Sequence, residues 1–311
     1  QLNDRYQQTH QKKIRARSEK DSDKQKAESG TCHVITVDLQ AVKLSPQTKA
    51  STLYYRTKLC CHNYTIYDLE SHDVRCYWFD EMNADLQAST FASCLVDFLQ
   101  EKYLSIDKKP IIIYSDGCTE QNRNATMANA LLYLAEKYEV CITQKILEKG
   151  HTQMECHSVH ATIERKLKNQ DVYLPSDYAR LCEKSRRKQK LQNEKLINPY
   201  EVKCPDYTFS INYGDKNNLK YESIRPGTTV KDPVVTDLRE IQYLPSGKIY
   251  FKIDFDDEYK LLPRPAKNIN LRKCQFGNLF STARKITKKE FEDLQQIKPI
   301  IPKDCWPFYD A

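Results

Sequence analysis

The sequence predicts an α/β fold in which a β-sheet is flanked by helices. The evidence is clearest between residues 110 and 171, where apolar runs of strand length alternate with apolar residues at helical spacing. Residues 111–114 (IIIY) have the composition of a buried strand, and Met127, Leu131 and Leu134 then fall on one helix face. A second strand at 140–147 precedes a second helix at 154–168. Such alternation with short joins is typical of parallel strands covered by helices.

The first 30 residues are almost wholly polar and carry charges of both signs. This composition predicts a solvated helix followed by a linker. A nucleic-acid contact through Lys12, Lys13, Arg15 and Arg17 is the alternative, because clustered cations neutralise phosphates.

The first predicted strand, residues 32–40 (CHVITVDLQ), carries Asp38 among β-branched residues. A carboxylate buried in a strand is costly unless something neutralises it, and a bound cation is the usual remedy. An aspartate that faces solvent from an edge strand is the alternative. Asp116 occupies a comparable place at the end of the strand 111–114, and the carboxyl edge of such a sheet is where ligands bind.

Two or three further strands are predicted at 51–68 and 73–79, before a core-facing helix at 85–104. The order is therefore three strands, helix, strand, helix, strand, helix, with acids on the first and fourth strands. The run Cys60-Cys61-His62 does not predict a zinc site. Adjacent side chains on a strand point to opposite faces, and no second pair lies at ligand spacing.

The chain changes character beyond residue 171, and we divide it into a polar segment (1–30), a core (31–198) and a small β-rich C-terminal domain (199–311). A basic run, KSRRKQK, occupies 184–190. A hairpin turn is predicted at 245–248, a terminal helix at 288–297, and an extended tail around the last prolines. The short strands predicted in this region are 207–213, 228–235, 241–244 and 248–255.

The composition indicates an intracellular protein without a membrane span. The 49 basic and 42 acidic residues give a net charge of +7, which favours an anionic partner only weakly. No stretch approaches the roughly 18 apolar residues of a spanning helix. Twelve cysteines without a C-x-x-C pair favour reduced thiols, and a secreted protein with paired cysteines is the alternative. The chain starts at Gln1 without a leader, so we expect a fragment of a longer protein.

The predicted order resembles the ribonuclease-H-like fold of integrases and transposases, which implies a mixed five-stranded sheet flanked by helices. The motifs VDLQ (37–40), SDGCTEQNRN (115–124) and GHTQMEC-x-SVHATIE (150–164) are similar to those of transposon-derived eukaryotic proteins. The tail at 286–310 is similar to the end of the same group. This resemblance implies a nuclear protein of the DDE or DDD type, in which Asp38 and Asp116 are the first two acids. It implies metal-dependent cleavage or strand transfer of nucleic acid.

The chain departs from this family at the third acid. His157 stands where the relatives usually carry Asp, so we predict Asp38, Asp116 and His157 as ligands of Mg²⁺ or Mn²⁺. Imidazole suits Mn²⁺ better than Mg²⁺.

Glu164 is predicted as a back-up acid, because His157, His160 and Glu164 share one helix face. A surface ion pair of Glu164 with Lys168 is the alternative. Glu155 follows Asp116 by the spacing of a D,D,E triad but is predicted to point elsewhere. A zinc site of His151, Cys156, His157 and His160 is a further alternative, without paired ligand spacing to support it.

Two sets of residues are predicted to contact nucleic acid. Gln121, Asn122 and Arg123 open a helix beside Asp116, where a helix start can hold a phosphate, and His151 lies in the next turn. Capping and solvation are the alternative. In the basic run, the predicted contacts are Arg186, Arg187 and Lys188, with a solvated helix face as the alternative.

The leading hypothesis is a transposase-derived nuclease that acts through two aspartates and a third ligand on DNA, with RNA as a second possibility. A domesticated relative that binds nucleic acid or protein without catalysis is the alternative. A purely structural interaction protein would require Asp38 and Asp116 to be unrelated in space. A homo-oligomer is left open.

Overall fold

The computed structural model describes residues 2–48, 56–147, 154–190, 196–263, 265, 267 and 269–310. These residues form a ten-stranded mixed sheet with helices on both faces, and a separate two-stranded ribbon. The helices are α1 (Leu2–Glu28), α2 (Ala88–Leu99), α3 (Ala125–Tyr138), α4 (Glu155–Leu167), α5 (Pro175–Glu183), α6 (Lys288–Ile297) and α7 (Trp306–Asp310). The strands are β1 (His33–Leu39), β2 (Lys43–Ser45), β3 (Leu59–Asp68), β4 (Val74–Asp80), β5 (Ile111–Ser115), β6 (Ile142–Ile146), β7 (Gln189–Lys190), β8 (Leu196–Ile197), β9 (Glu201–Lys203), β10 (Glu240–Tyr243), β11 (Ile249–Lys252) and β12 (Lys260–Leu261).

Five strands form the centre of the sheet in the order β4-β3-β1-β5-β6. Strands β1, β5 and β6 are parallel to one another, whereas β3 is antiparallel to both β1 and β4. The sheet is larger than the five strands predicted, because β9 extends the β4 edge and β10–β12 extend the β6 edge. Strands β9 and β10 hydrogen-bond to backbone groups of β4 and β6 that would otherwise be unpaired at the edges of the sheet. The sequence pattern within one strand does not indicate which strand it pairs with.

The two faces of the sheet pack against different helices. Ile35 and Val37 of β1 lie in the main hydrophobic core with α2 and α3. Val34 lies on the opposite face, among apolar residues of α1 and α4, and α5 packs beside α4. Because side chains alternate along a strand, Asp38 belongs to the face that α4 covers.

Buried charges hold helix α1 on the sheet. Lys145 of β6 is only 5% exposed and binds the carboxylates of Glu19 and Asp23, the latter at 2.6 Å. The hydroxyl of Tyr114 donates to Asp23 at 2.7 Å. The helix predicted within residues 1–30 is confirmed as α1, but the prediction that it is solvated and followed by a linker is wrong, because it extends to Glu28 and is docked on the sheet. Because α1 docks through ion pairs, its sequence has almost no apolar periodicity. The buried face of the helix could therefore not be predicted from the sequence.

The region beyond residue 198 contributes to the main hydrophobic core. Tyr213, Tyr221 and Tyr243 are buried in the same cluster as α2 and α3. The hairpin predicted at 245–248 is confirmed, since β10 pairs with β11 and Gly247 has a φ of +75°. The terminal helix predicted at 288–297 is also confirmed, and Thr287 caps it by accepting from the Glu290 amide.

Other predictions in the C-terminal region are wrong. Residues 207–213 and 228–235 form turns instead of strands. Asp206 accepts from the amide of Thr208, and Asp232 accepts from the amide of Thr229. These aspartates stabilise turns in segments whose composition is otherwise typical of strands. The last prolines do not keep the tail extended, because proline is tolerated in the first turn of the short helices found there.

Across the residues that the structure describes, no helix combines the length and apolar character needed to cross a membrane.

Replacing Asp23 by Asn should destabilise the fold by about 3 kcal/mol, because it removes one charge from a buried ion cluster and leaves Lys145 poorly compensated. Urea-induced unfolding measures the change. Asp21→Asn, at an exposed position of the same helix, is the matched control and should change stability by less than about 0.5 kcal/mol. Equal stability of the two variants would show that Asp23 does not anchor α1.

Candidate functional site

Two aspartates lie side by side at the carboxyl ends of the central parallel strands. Asp38 belongs to β1, and Asp116 follows the last residue of β5. The register pairs Thr36 with Tyr114, and continuing it by two residues sets Asp38 beside Asp116. Neighbouring strands lie about 4.8 Å apart, and the charge of Asp116 acts on Asp38. The two strands are adjacent, as predicted.

Asp116 is held by a tight turn that follows β5. Its Oδ1 accepts from the amide of Cys118 at 3.0 Å and from Asn122 Nδ2 at 2.8 Å. Helix α3 starts only after this turn, with Asn124 as the N-cap that accepts from the Met127 amide. The polar segment 117–124 therefore shapes the loop around Asp116 and precedes the helix.

Helix α4 places two histidines over Asp38. His157 Nε2 lies 3.2 Å from Asp38 Oδ2, and His160 Nδ1 lies 3.8 Å from the same oxygen. The other ring nitrogen of His160 lies 3.0 Å from the hydroxyl of Thr65, which pairs with Asp38 in the sheet. The buried thiol of Cys156 contacts the backbone of β1 and β3 and so fixes the start of the helix.

The electrostatics of this site are unusual. Burial, together with the neighbouring charge of Asp116, raises the pKa of Asp38 to about 7. Burial, with a further contribution from His157, lowers the pKa of His160 to about 4, so this imidazole is neutral near pH 7. His157 is the accessible member of the pair, with 51% of its side chain exposed. The site therefore holds a carboxyl group that can be protonated near neutral pH, that of Asp38. Beside it lie the neutral imidazole of His160 and the exposed imidazole of His157.

Neither glutamate of α4 makes a described contact with Asp38. Glu164 accepts from Gln40 at 2.7 Å and forms an ion pair with Lys43. The alternative partner considered from the sequence, Lys168, is therefore replaced by a residue from β2. Glu155 binds Lys20 of α1 at 3.1 Å, which agrees with the expectation that it points elsewhere.

The donor set suits one divalent cation better than two. Two carboxylates and an imidazole are ligands for Mn²⁺ and, less readily, Mg²⁺. In the described parts of the chain, however, no three His, Cys, Asp or Glu side chains already converge as a metal site. Asp38, Asp116 and His157 would have to close around a cation, and a third carboxylate for a second cation is not among their described neighbours.

The residues predicted to bind nucleic acid near Asp116 are mostly turned inward. Asn122 is 2% exposed and holds Asp116, while Arg123 is 8% exposed. The guanidinium of Arg123 donates to the carbonyls of Gly117 and Thr236. Gln121 is half-buried, and His151 lies outside the described residues. Phosphate binding by these four residues stays a prediction. Asn122 and Arg123 already hydrogen-bond to other groups of the protein.

The basic run contains one half-buried arginine, Arg186, and side chains that are exposed. Arg186 stacks on Tyr200, with its guanidinium carbon 4.4 Å from the ring centroid, and donates to the carbonyl of His72 at 3.0 Å. Arg187 and Lys188 are exposed. Their predicted role in nucleic-acid binding stays a prediction.

Sequence reasoning missed the residues that support the two aspartates. Thr65, Gln144 and Tyr243 come from other strands. Thr65 hydrogen-bonds to His160, Gln144 donates to Asn122 in the loop, and Tyr243 donates to Gln144. No motif marked them. Only the strand register, which brings distant segments together, could have identified them.

The fold and the site thus define an α/β protein with a paired-aspartate centre at the carboxyl edge of its sheet. A family model described as a domain of unknown function, DUF8701, matches residues 23–198. The match spans more than half of the chain, and the chain belongs to this family. No curated protein and no solved structure matches the chain.

Asp38→Asn should stabilise the metal-free protein at neutral and alkaline pH. The pKa of Asp38 is raised in the folded state, so its stabilising contribution is complete below about pH 4 and is lost as the pH rises towards 7. The difference between variant and wild type should therefore be small at pH 4 and grow to at most about 4 kcal/mol above pH 7. Unfolding by urea at a series of pH values measures it.

Asp171→Asn, at an exposed position, is the control and should follow the wild-type curve. A constant difference between Asp38→Asn and wild type from pH 4 to 8 would contradict a raised pKa at Asp38.

Proposed function

We propose that this chain is a transposon-derived protein with a ribonuclease-H-like core, which binds a divalent cation at Asp38 and Asp116 and cleaves or transfers strands of nucleic acid. The order of elements along the chain supports this proposal, because β1, β3 and β4 are followed by α2, β5, α3, β6 and α4, and that order resembles the ribonuclease-H-like fold. Helices on both faces of the sheet agree with it as well.

The paired aspartates carry the proposal. Two carboxylates on adjacent strands repel each other, and one of them has lost most of its solvent. A fold that needed only stability would gain by replacing one of them. A cation that neutralises the pair explains why both are present, since buried charges are paired or coordinate metals.

The residues of this chain would share the work as follows. Asp38 and Asp116 would supply hard oxygen ligands, and His157, which is exposed and adjacent to Asp38, would supply nitrogen. His160 remains neutral and keeps its hydrogen bond to Thr65, so it orients the Asp38 side of the site. A bound Mn²⁺ or Mg²⁺ would draw negative charge from a phosphodiester and lower the pKa of an attacking water.

A polar groove beside the site offers a path for a nucleic-acid strand. It has a volume of about 450 Å³ and is lined by Lys43, Arg165 and Lys168 together with amide side chains. It lies at the C-terminal end of α4, the helix that carries His157 near its other end, and residues 160 and 168 lie about 12 Å apart along a helix axis. Its cations exceed the single acid in its lining, Glu164, so the groove favours phosphates over cationic ligands. DNA is the partner we propose, with RNA second.

A second candidate function is binding without catalysis. His157 contacts Asp38 directly, and Glu164 is engaged by Gln40 and Lys43, so no third carboxylate is described beside the aspartates. A domesticated protein that retains the fold and binds nucleic acid would show this arrangement.

The cleavage assay separates the two functions. The wild-type chain should cleave DNA slowly in Mn²⁺ and more slowly in Mg²⁺, because imidazole suits Mn²⁺ better. His157→Asp should raise the Mg²⁺ rate by roughly tenfold or more by adding a carboxylate ligand, and Asp38→Asn should abolish cleavage in both metals. Single-turnover rates on labelled DNA measure these effects.

Asp171→Asn is the control and should cleave as the wild type does. Loss of activity in His157→Asp from an active wild type would assign His157 a working role that carboxylate cannot fill. Absence of cleavage in every variant, with DNA binding retained, would favour the binding-only function.

The groove is tested by the salt dependence of DNA binding. Replacing Arg165 and Lys168 by Ala should reduce the magnitude of the slope of log K against log salt by roughly 1.4 to 1.8, since each phosphate contact contributes about 0.7 to 0.9. Lys108→Ala with Lys109→Ala removes the same charge at the opposite edge of the sheet, before β5. This control should leave the slope nearly unchanged. Equal slopes for the two double variants would exclude the groove as the phosphate path.

A further inference from the structure

A chain of buried hydrogen bonds runs from strand β10 to Asp116. The hydroxyl of Tyr243 donates to Gln144 Oε1 at 3.0 Å. Gln144 Nε2 donates to the carbonyl of Asn122 at 2.7 Å, and Asn122 Nδ2 donates to Asp116 Oδ1 at 2.8 Å. Tyr243, Gln144 and Asn122 are 0%, 1% and 2% exposed. Solvent therefore cannot replace a bond that is lost from this chain.

We infer that Tyr243, Gln144 and Asn122 are positioning residues that fix the carboxylate of Asp116, so that β10 is part of the candidate site. The inference rests on the proposed function for its consequence, which is cation affinity. It also adds a region to the site, because Tyr243 lies outside residues 23–198, the part matched by the family model.

The chemistry of Gln144 makes the chain directional. A glutamine side chain carries one acceptor and one donor end, and either end can occupy a given position after a flip. The Tyr243 hydroxyl donates to the oxygen and thereby turns the NH₂ group towards the Asn122 carbonyl. Without that hydroxyl, a flipped amide would set oxygen against oxygen at Asn122, and the turn that holds Asp116 would have to adjust.

A second tie joins the same two regions. Arg123 donates to the carbonyl of Gly117, next to Asp116, and to the carbonyl of Thr236, shortly before β10. Gly117 permits this approach, because a Cβ at that position would lie 2.6 Å from the guanidinium. The Asp116 turn is thus connected to the segment around β10 through two independent routes.

Positioning is tested first in the metal-free, 311-residue chain. The backbone amide of Cys118 donates to Asp116 Oδ1, so its NMR resonance reports where that oxygen lies. Tyr243→Phe and Gln144→Met should both shift this resonance. Tyr103→Phe is the matched control, because it removes another buried tyrosine hydroxyl, which donates to Asp68 at 2.8 Å. The control should destabilise the fold similarly and leave the Cys118 resonance unchanged.

The consequence is tested by Mn²⁺ titration calorimetry on the same proteins. Asn122→Ala should weaken Mn²⁺ binding by about 10- to 100-fold, as expected for a residue that orients a ligand, and Tyr243→Phe by about 3- to 10-fold. The double variant Tyr243→Phe/Gln144→Met should bind no more weakly than Gln144→Met, because both changes break one chain. Tyr103→Phe should bind as tightly as the wild type.

The outcomes separate the inference from the proposed function. An unmoved Cys118 resonance in Tyr243→Phe and Gln144→Met overturns the inference, and so do additive losses in the double variant. Unchanged Mn²⁺ affinity in Asn122→Ala overturns it as well. A wild-type chain without measurable Mn²⁺ affinity overturns the proposed function alone, and the Cys118 resonance then still decides whether the hydrogen-bond chain positions Asp116.

Discussion

The parallel pairing of β1 with β5 is the constraint on which the candidate site depends. It sets the two aspartates beside each other on neighbouring strands, whose backbones lie about 4.8 Å apart. Two like charges in such a place raise the free energy of the folded state, most of all for the one that α4 covers. The residues around the two aspartates make contacts that offset this unfavourable charge.

The elements that surround the two aspartates make different contacts with them. The turn after β5 supplies an amide and an Asn side chain to Asp116, and these hydrogen bonds hold its carboxylate in place. Helix α4 supplies two imidazoles to Asp38, and the neutral His160 keeps its hydrogen bond to Thr65. Glu164, two turns after His157 on α4, forms an ion pair with Lys43 and makes no described contact with the two aspartates. The result is a site in which hydrogen bonds hold Asp116, while burial raises the pKa of Asp38 to about 7.

Much of this arrangement could be predicted from the sequence, because it depends on local pattern. The α/β class, the strands that carry Asp38 and Asp116, helix α4 and the face shared by His157 and His160 follow from apolar periodicity and strand ends. The docking of α1 could not be predicted, because Lys145 and Asp23 look like surface charges until the fold buries them.

The inward orientation of Asn122 and Arg123 was hidden for a related reason. A polar helix start beside an acid is compatible with both phosphate binding and loop support, and only the partners in β6 and near β10 distinguish them. The wider sheet was likewise invisible, since pairing between strands separated by a hundred residues leaves no trace in either strand alone.

The antiparallel strand β10 has a practical consequence for anyone who works with the matched region alone. Strand β6 is buried along its whole length, and β10 covers its outer edge. A recombinant fragment that ends near residue 198 would present this otherwise buried strand, with unpaired amides and carbonyls, to other molecules. Such an edge is a template for intermolecular pairing, so poor solubility of the fragment would reflect a missing strand and would carry no information about the chemistry of the aspartates.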